Sequence, residues 1–414
     1  MAATVDDQER PDTEVPPEAE PGEASAPRNP LRVLGLSGTA ESWVSWISVA
    51  VAVWILITAV SVIGDGFSAA TGGQAEELFQ FATNPFVALT IGILATVGTQ
   101  SSSTTTSIVV GLAAGGLPME IAIPMLMGAN LGTTVTNTLV SMGMAGNKEQ
   151  FRRAFSAASV HDFYNIMAVA ILLPVELLTG FLDTTSEAVS GAVSGDGGIV
   201  AAAFTAFGDA VKAVTSPGAD FFEWAVSPLP EVWGGIVLIA VGVALILLVI
   251  GFIGNMMKSL MVGRAKKILH GAIGRGPLSG IGSGTVITMI VQSSSTTTSL
   301  VVPLAGSGAF TIRQIYPFTV GANIGTTLTA LIASFAFTGI EGQLALQAAL
   351  VHLFFNVTAA IVIFGLPFLR PLPVKGATWL GDLCAQRRIW AVVWVVSVFV
   401  VLPLVFIALT TALG

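Results

Sequence analysis

Long apolar runs dominate the chain from about residue 43 onward. Those near 43–66, 117–142, 153–176, 232–256, 312–338, 344–368 and 390–412 are each long enough to predict a membrane-spanning helix, which needs about 20 residues. Trp43 and Trp46 open the first run, and Trp390 and Trp394 open the last, as interfacial aromatics often do. Two further apolar stretches, 85–112 and 277–307, follow a different pattern. Each is divided in the middle by the same eight residues, "QSSSTTTS", at 100–107 and at 292–299. The half before the first block, 85–97, makes a helix of only ~20 Å, enough to reach the middle of a roughly 30 Å core but not to cross it. Both stretches therefore read as re-entrant helical hairpins with tips at mid-membrane. Non-helical backbone is tolerated there only inside protein or beside a wet cavity.

The blocks belong to a longer internal repeat. "QSSSTTTS" recurs at an offset of 192, "GANLGTT" (128–134) matches "GANIGTT" (321–327) at 193, and "HDFYN" (161–165) matches "HLFFN" (352–356) at 191. Recurrence of three different motifs in one order marks a duplication. With the N-terminus inside and seven crossings, 16 of the 17 Lys and Arg fall on the cytoplasmic side, and only Lys212 falls outside. The first hairpin then enters from outside and the second from inside, so the two halves are inverted. The predicted fold is an all-α polytopic membrane protein of two inverted-topology repeats. Each repeat carries a re-entrant helical hairpin and a broken transmembrane helix, an arrangement typical of secondary transporters. The predicted organisation is a disordered acidic tail (1–40), a first spanning helix and external loop (41–84), and repeat 1 (85–176). An external loop (177–231), a linking helix with a basic cytoplasmic loop (232–276), repeat 2 (277–368) and a cytoplasmic loop with a final helix (369–414) follow.

Composition agrees with this picture. The chain of 414 residues is 53% hydrophobic and 10% charged, with a mean hydropathy of +0.82. Of its net charge of −8, −6 lies in residues 1–30, where eight acidic side chains accompany two Arg and no aromatic. Such a segment cannot bury enough apolar surface to fold. It also lacks the apolar core of a signal peptide. There is no basic patch for nucleic acid. The single cysteine, Cys384, excludes an intramolecular disulfide, and three scattered His make a zinc centre unexpected.

The polar blocks carry the candidate chemistry. Ser, Thr and Gln supply donors and acceptors without net charge. A hairpin tip adds the unpaired N–H groups and positive dipole end of its second helix, which suit small oxyanions. Carbonyl and hydroxyl oxygens suit Na⁺. Neither hairpin holds Lys or Arg, so the charge of a bound anion must be offset by dipoles, hydrogen bonds and co-bound cations. That is a physical reason for coupling to Na⁺, and H⁺ satisfies the same argument. The glycines around Asn130 and Asn323 are expected to let their helices unwind, which would aim Asn130, Thr133, Asn323 and Thr326 inward. Spaced glycines also serve simple helix packing. His161, Asn165 and Asn356 are supporting candidates. Asp162 is an intramembrane acid and hence a functional candidate, with pairing to Arg152 or Arg153 as the plainer account.

Paired "QSSS" blocks, each followed about 30 residues later by GAN-x-GTT, together with "FRRAFSAASVHDFYNIMAVAILLPVE" (151–176), resemble the type II sodium-dependent phosphate cotransporter family. The resemblance runs from about Trp43 to about Ala412. It implies import of inorganic phosphate with Na⁺. It also assigns the substrate site to Gln100, Ser101, Ser102, Ser103 and Thr104 with Gln292, Ser293, Ser294, Ser295 and Thr296. Sodium is expected at Gln100, Ser101, Gln292, Ser293, Asn323 and Thr326, with Asn130 and Thr133 added by symmetry. Loop 177–231 contains no Cys where animal members carry a disulfide, which suggests a prokaryotic member. Glu77 stands near the place of an acidic residue that accompanies electrogenic transport in the family.

These features predict a multi-pass plasma-membrane symporter, N-terminus inside and C-terminus outside, with no cofactor beyond the co-transported Na⁺. Its partners are phosphate, Na⁺ and the lipid bilayer, without nucleic acid; a homodimer is left open. A carrier of another oxyanion or a dicarboxylate, and an anion channel, use the same polar tips. An intramembrane aspartyl protease needs two facing acids, and Asp162 has no partner acid in the sequence.

Overall fold

The computed structural model describes residues 38–72, 74, 79, 82, 84–194, 199–272 and 275–413, and no strand occurs among them. Residues 1–37 and Glu77 lie outside the described residues. The first helix, α1 (Gly38–Thr71), precedes the first hairpin, α2 (Pro85–Thr99) and α3 (Ser102–Ala114). The chain continues through α4 (Met119–Gly132), α5 (Val135–Met142) and the long α6 (Lys148–Thr179). Two helices, α7 (Phe181–Ser194) and α8 (Ile199–Val226), occupy the segment predicted as an external loop. The second half runs through α9 (Glu231–Ala272), the hairpin α10 (Pro277–Val291) and α11 (Ser294–Gly306), α12 (Ile312–Ser334) and α13 (Gly339–Ala359). A short α14 (Pro371–Gln386) leads to α15 (Ile389–Val396), a π-helical turn at 397–401, and α16 (Leu402–Leu413).

Five of the seven predicted spans are continuous helices long and apolar enough to cross a membrane. The span predicted over 117–142 is divided at Thr133–Thr134, and the last one is interrupted by the π turn. The two predicted hairpins are present with matching arms of 15 and 13 residues, too short at 1.5 Å per residue to cross.

Local chemistry fixes the hairpin boundaries. Asn84 caps α2 by accepting the Phe86 N–H at 3.0 Å, with Pro85 in the first turn where its missing N–H does no harm. Each second arm starts at a Ser, Ser101 or Ser293, whose hydroxyl accepts the amide three residues on at 3.2 Å.

Each hairpin lies along the helix that follows it, α2 on α4 and α10 on α12. Lipid is as apolar as Leu, so helices associate through close packing rather than water exclusion. Glycine makes that possible here. A Cβ built on Gly92 or Gly128 meets the carbonyl oxygens of Met125 or Leu89, and one on Gly284 or Gly321 meets those of Phe318 or Ile281. The GAN-x-GTT glycines therefore serve packing rather than unwinding. α12 is continuous through 321–327, and α4 yields only at Thr133–Thr134.

The two halves are interleaved. α6 of the first half docks on α11 of the second hairpin, and α13 of the second half docks on α3 of the first. Their shared core contains Ile63, Leu126, Tyr164, Tyr316 and Phe355. α14 packs against α6, burying Cys384 with Phe151 and Phe155, and Arg152 reaches Asp382 at 3.2 Å as well as Glu149.

Candidate functional site

Gln100 and Gln292 end the first arm of each hairpin in the left-handed region, at φ 54°, ψ 25° and φ 56°, ψ 24°. Among the described residues they are the only non-glycine residues with positive φ. That conformation costs a side-chain-bearing residue roughly 1–2 kcal/mol, so it persists only where the surroundings hold it. The same clamp holds both. Thr136 donates to Gln100 Oε1 at 3.1 Å and Thr329 to Gln292 Oε1 at 2.9 Å, while the amide nitrogens donate back to Val97 O (2.6 Å) and Met289 O (2.5 Å). The left-handed turn lets the next residue swing to extended geometry, φ −153° at Ser101 and −156° at Ser293, and start a new helix.

The two tips meet. Ser103 Oγ lies 3.0 Å from Thr326 Oγ1 and 3.4 Å from the Gln292 carbonyl oxygen. Between them opens a cavity of about 220 Å³, lined by Thr99, Gln100, Ser101 and Thr104 from the first tip and by Ser293 and Thr296 from the second. Leu247, Ile250, Gly251, Gly254 and Asn255 of α9 close its third side. None of the lining residues is ionisable. The starts of α3 and α11 both border this space, so their orphan amides and positive dipole ends act in one place.

The remaining candidates divide into three groups. Ser102, Ser103, Ser294 and Ser295 are buried behind the cavity wall, and Gln292 faces its own clamp with only its carbonyl turned toward Ser103. Thr133 turns back to Ala129 O at 3.1 Å. Asn130, Asn323, His161 and Asn165 lie apart from the cavity in one buried network. His161 Nε2 donates to Asn323 Oδ1 (2.6 Å), which leaves Nδ1 to accept from Asn137 Nδ2 (3.2 Å). Asn323 Nδ2 and Asn130 Nδ2 both donate to Asn165 Oδ1, at 2.7 and 3.0 Å, and Thr298 donates to Asn137 Oδ1 at 2.9 Å. The network joins the two halves through side chains that are all at most 2% exposed.

The second copies behave differently. Both ring nitrogens of His352 and the Asn356 Oδ1 are buried with no hydrogen-bond partner among the described residues. Asp162 does not pair with Arg152 or Arg153; its Oδ2 accepts from Trp394 Nε1 at 2.8 Å, since α15 rather than the start of α6 lies beside it. Sequence reasoning passed over Thr136, Thr329, Asn137 and Asn255. The first two were visible as a matched pair at the repeat offset of 193, and Asn255 as a lone amide in an apolar run.

The profile of the Na⁺/Pi-cotransporter family matches residues 55–189 and 245–370, and each matched stretch contains one hairpin and one His/Asn helix. Sodium-dependent phosphate transport protein 2A of Rattus norvegicus is 31% identical over 84% of this chain, which spans 65% of that protein. The 2A protein of Ovis aries is 31% identical over 87% of the chain and 66% of its own length, and the 2B protein of Homo sapiens 30% over 87% and 64%. The chain thus spans about two thirds of the length of these relatives. No solved structure matches it.

Proposed function

Because the chain belongs to the Na⁺/Pi-cotransporter family, we propose that it is a multi-pass plasma-membrane symporter importing inorganic phosphate with Na⁺. The observation that carries this reading is the uncharged cavity shared by the two hairpin tips. Two helix N-termini and the hydroxyls of Ser101, Thr104, Ser293 and Thr296 suit a small oxyanion, because such an anion takes amide and hydroxyl donors. With no cation in the wall, an anion in this space stays costly until positive charge joins it. Na⁺ binding to the carbonyl ends of α2 and α10 and to neighbouring hydroxyls supplies that charge, so neither ion enters well alone. That mutual dependence is the coupling.

Alternating access follows from the inverted halves, one moving against the other about a site at the membrane midplane. The N-terminus lies inside and the C-terminus outside in the orientation that puts nearly all Lys and Arg in the cytoplasm. The Gln292 carbonyl and Thr326, both beside Ser103, are the nearest oxygen ligands for a sodium ion.

Uptake of labelled phosphate into proteoliposomes tests the proposal. Accumulation is expected under an inward Na⁺ gradient and not when K⁺ replaces Na⁺. Equal uptake in K⁺ overturns the coupling, and displacement of phosphate by sulfate or succinate, or by neither, decides the substrate.

A further inference from the structure

The two halves repeat in sequence, yet the hydrogen bonds between them do not. Ser103 of the first hairpin bonds Thr326 of the second half, but the equivalent Ser295 does not bond Thr133, which turns back to its own helix. His161 and Asn165 both hold Asn323, but the equivalent His352 and Asn356 hold neither Asn130 nor any other side chain among the described residues. Asn130, left without them, bonds Asn165. Each of these absences falls on the mirror image of a bond that is made.

Buried polar groups are almost always satisfied, and a side chain with both ring nitrogens orphaned in the core calls for a reason. We propose that His352, Asn356 and Ser295 are waiting partners, which take Asn130 and Thr133 when the transporter faces the other side of the membrane. The structure then holds one of two alternative bond sets, and crossing the membrane exchanges them. This inference rests on the alternating-access reading above. It adds that the exchange is unequal. Asn137 extends the set made here by bridging His161 to Thr298, and its repeat equivalent is Ala330, which has no amide to offer. The state described here is therefore the better satisfied one.

Paired cysteines test the exchange directly. In the full chain with Cys384→Ala, one variant carries Ser103→Cys and Thr326→Cys and another carries Thr133→Cys and Ser295→Cys. A protease site between residues 195 and 198 lets the two fragments stay joined on a non-reducing gel only when cross-linked. With Na⁺ and phosphate on both sides of the vesicle, both pairs are expected to link. Asn137→Ala is expected to raise the 133–295 link relative to the 103–326 link by about thirtyfold, the equivalent of the two hydrogen bonds lost, to His161 and from Thr298. A 103–326 link that forms while 133–295 never does, with or without Asn137→Ala, overturns the proposal. Should the cysteine pairs not fold, His352→Leu reads the same point. Its uptake is expected to fall about tenfold with an unchanged unfolding temperature, because the bonds it loses belong only to the other state. Parental uptake by this variant, or a lowered unfolding temperature alone, overturns it. Sodium dependence of uptake in the parent chain is scored separately. Exchange of cross-links in a chain that carries no phosphate leaves this inference standing and removes the earlier one.

Discussion

The two hairpin tips and the two His/Asn helices are products of the same duplication, and they have diverged to different degrees. The tips agree within a few degrees at Gln100 and Gln292, in the serine cap, and in the threonine that clamps each glutamine. The helices agree in sequence only: His161 sits in a chain of hydrogen bonds reaching from Thr298 to Asn130, whereas His352 has no hydrogen-bond partner among the described residues. The tip is decided by contacts within its own half, so identical sequence returns identical geometry. The histidine is decided by what the other half places opposite it, and one rigid arrangement cannot satisfy both copies.

The largest effect expected from breaking the agreement is at the glycines. Gly92→Ala and Gly284→Ala each put a methyl group against a backbone carbonyl oxygen of the following helix, which cannot move aside as a side chain does. Both are expected to abolish folded protein in detergent, measured by size-exclusion recovery. Survival of one variant and not the other would break the equivalence of the two packings.

Next come the glutamines. Gln100→Ala and Gln292→Ala lose the bond to Thr136 or Thr329 and are expected to lose sodium-driven uptake, at a stability loss of about 1 kcal/mol. Gln100→Gly and Gln292→Gly keep the left-handed turn without strain and serve as the sharper pair. Uptake lost in a chain as stable as the parent assigns the role to the side chain, and retained uptake assigns it to the turn alone.

The most telling difference concerns the histidines. His161→Leu strands Asn137 and Asn323 and is expected to destabilise the protein by about 1–3 kcal/mol in thermal unfolding. His352→Leu removes two nitrogens that have no partner among the described residues and is expected to leave the unfolding temperature unchanged. Equal losses would show the two helices to be equivalent after all.

Much of this architecture was legible. Five spans, both hairpins and the turn at each polar block follow from hydropathy and from short arms that end in Ser and Thr. The family follows from the paired motifs, and the matched stretches of the family profile fall on the two repeats. Other points were not legible. The glycines of GAN-x-GTT read as hinges and act as contact surfaces, because hydropathy cannot report how near a neighbouring helix comes. Asp162 read as a functional candidate or, more plainly, a partner for Arg152 or Arg153, but these lie more than two turns away along α6, and it faces Trp394 across 232 residues instead. Segment 177–231 read as an external loop, and α7 and α8 lie within it.

By itself the sequence determined where five spans and the arms of both hairpins lie, that the chain is duplicated, and that no fixed positive charge stands at the polar blocks. These depend on neighbours within a few turns or on comparison of the chain with itself. Only the tertiary structure decided that the two tips open on one cavity, that Asn255 closes it, and that His161 rather than His352 is satisfied. Those outcomes join residues some 160 to 220 positions apart, where a shift of one helix by a few ångströms exchanges one hydrogen-bond partner for another and leaves the pattern of the sequence unchanged.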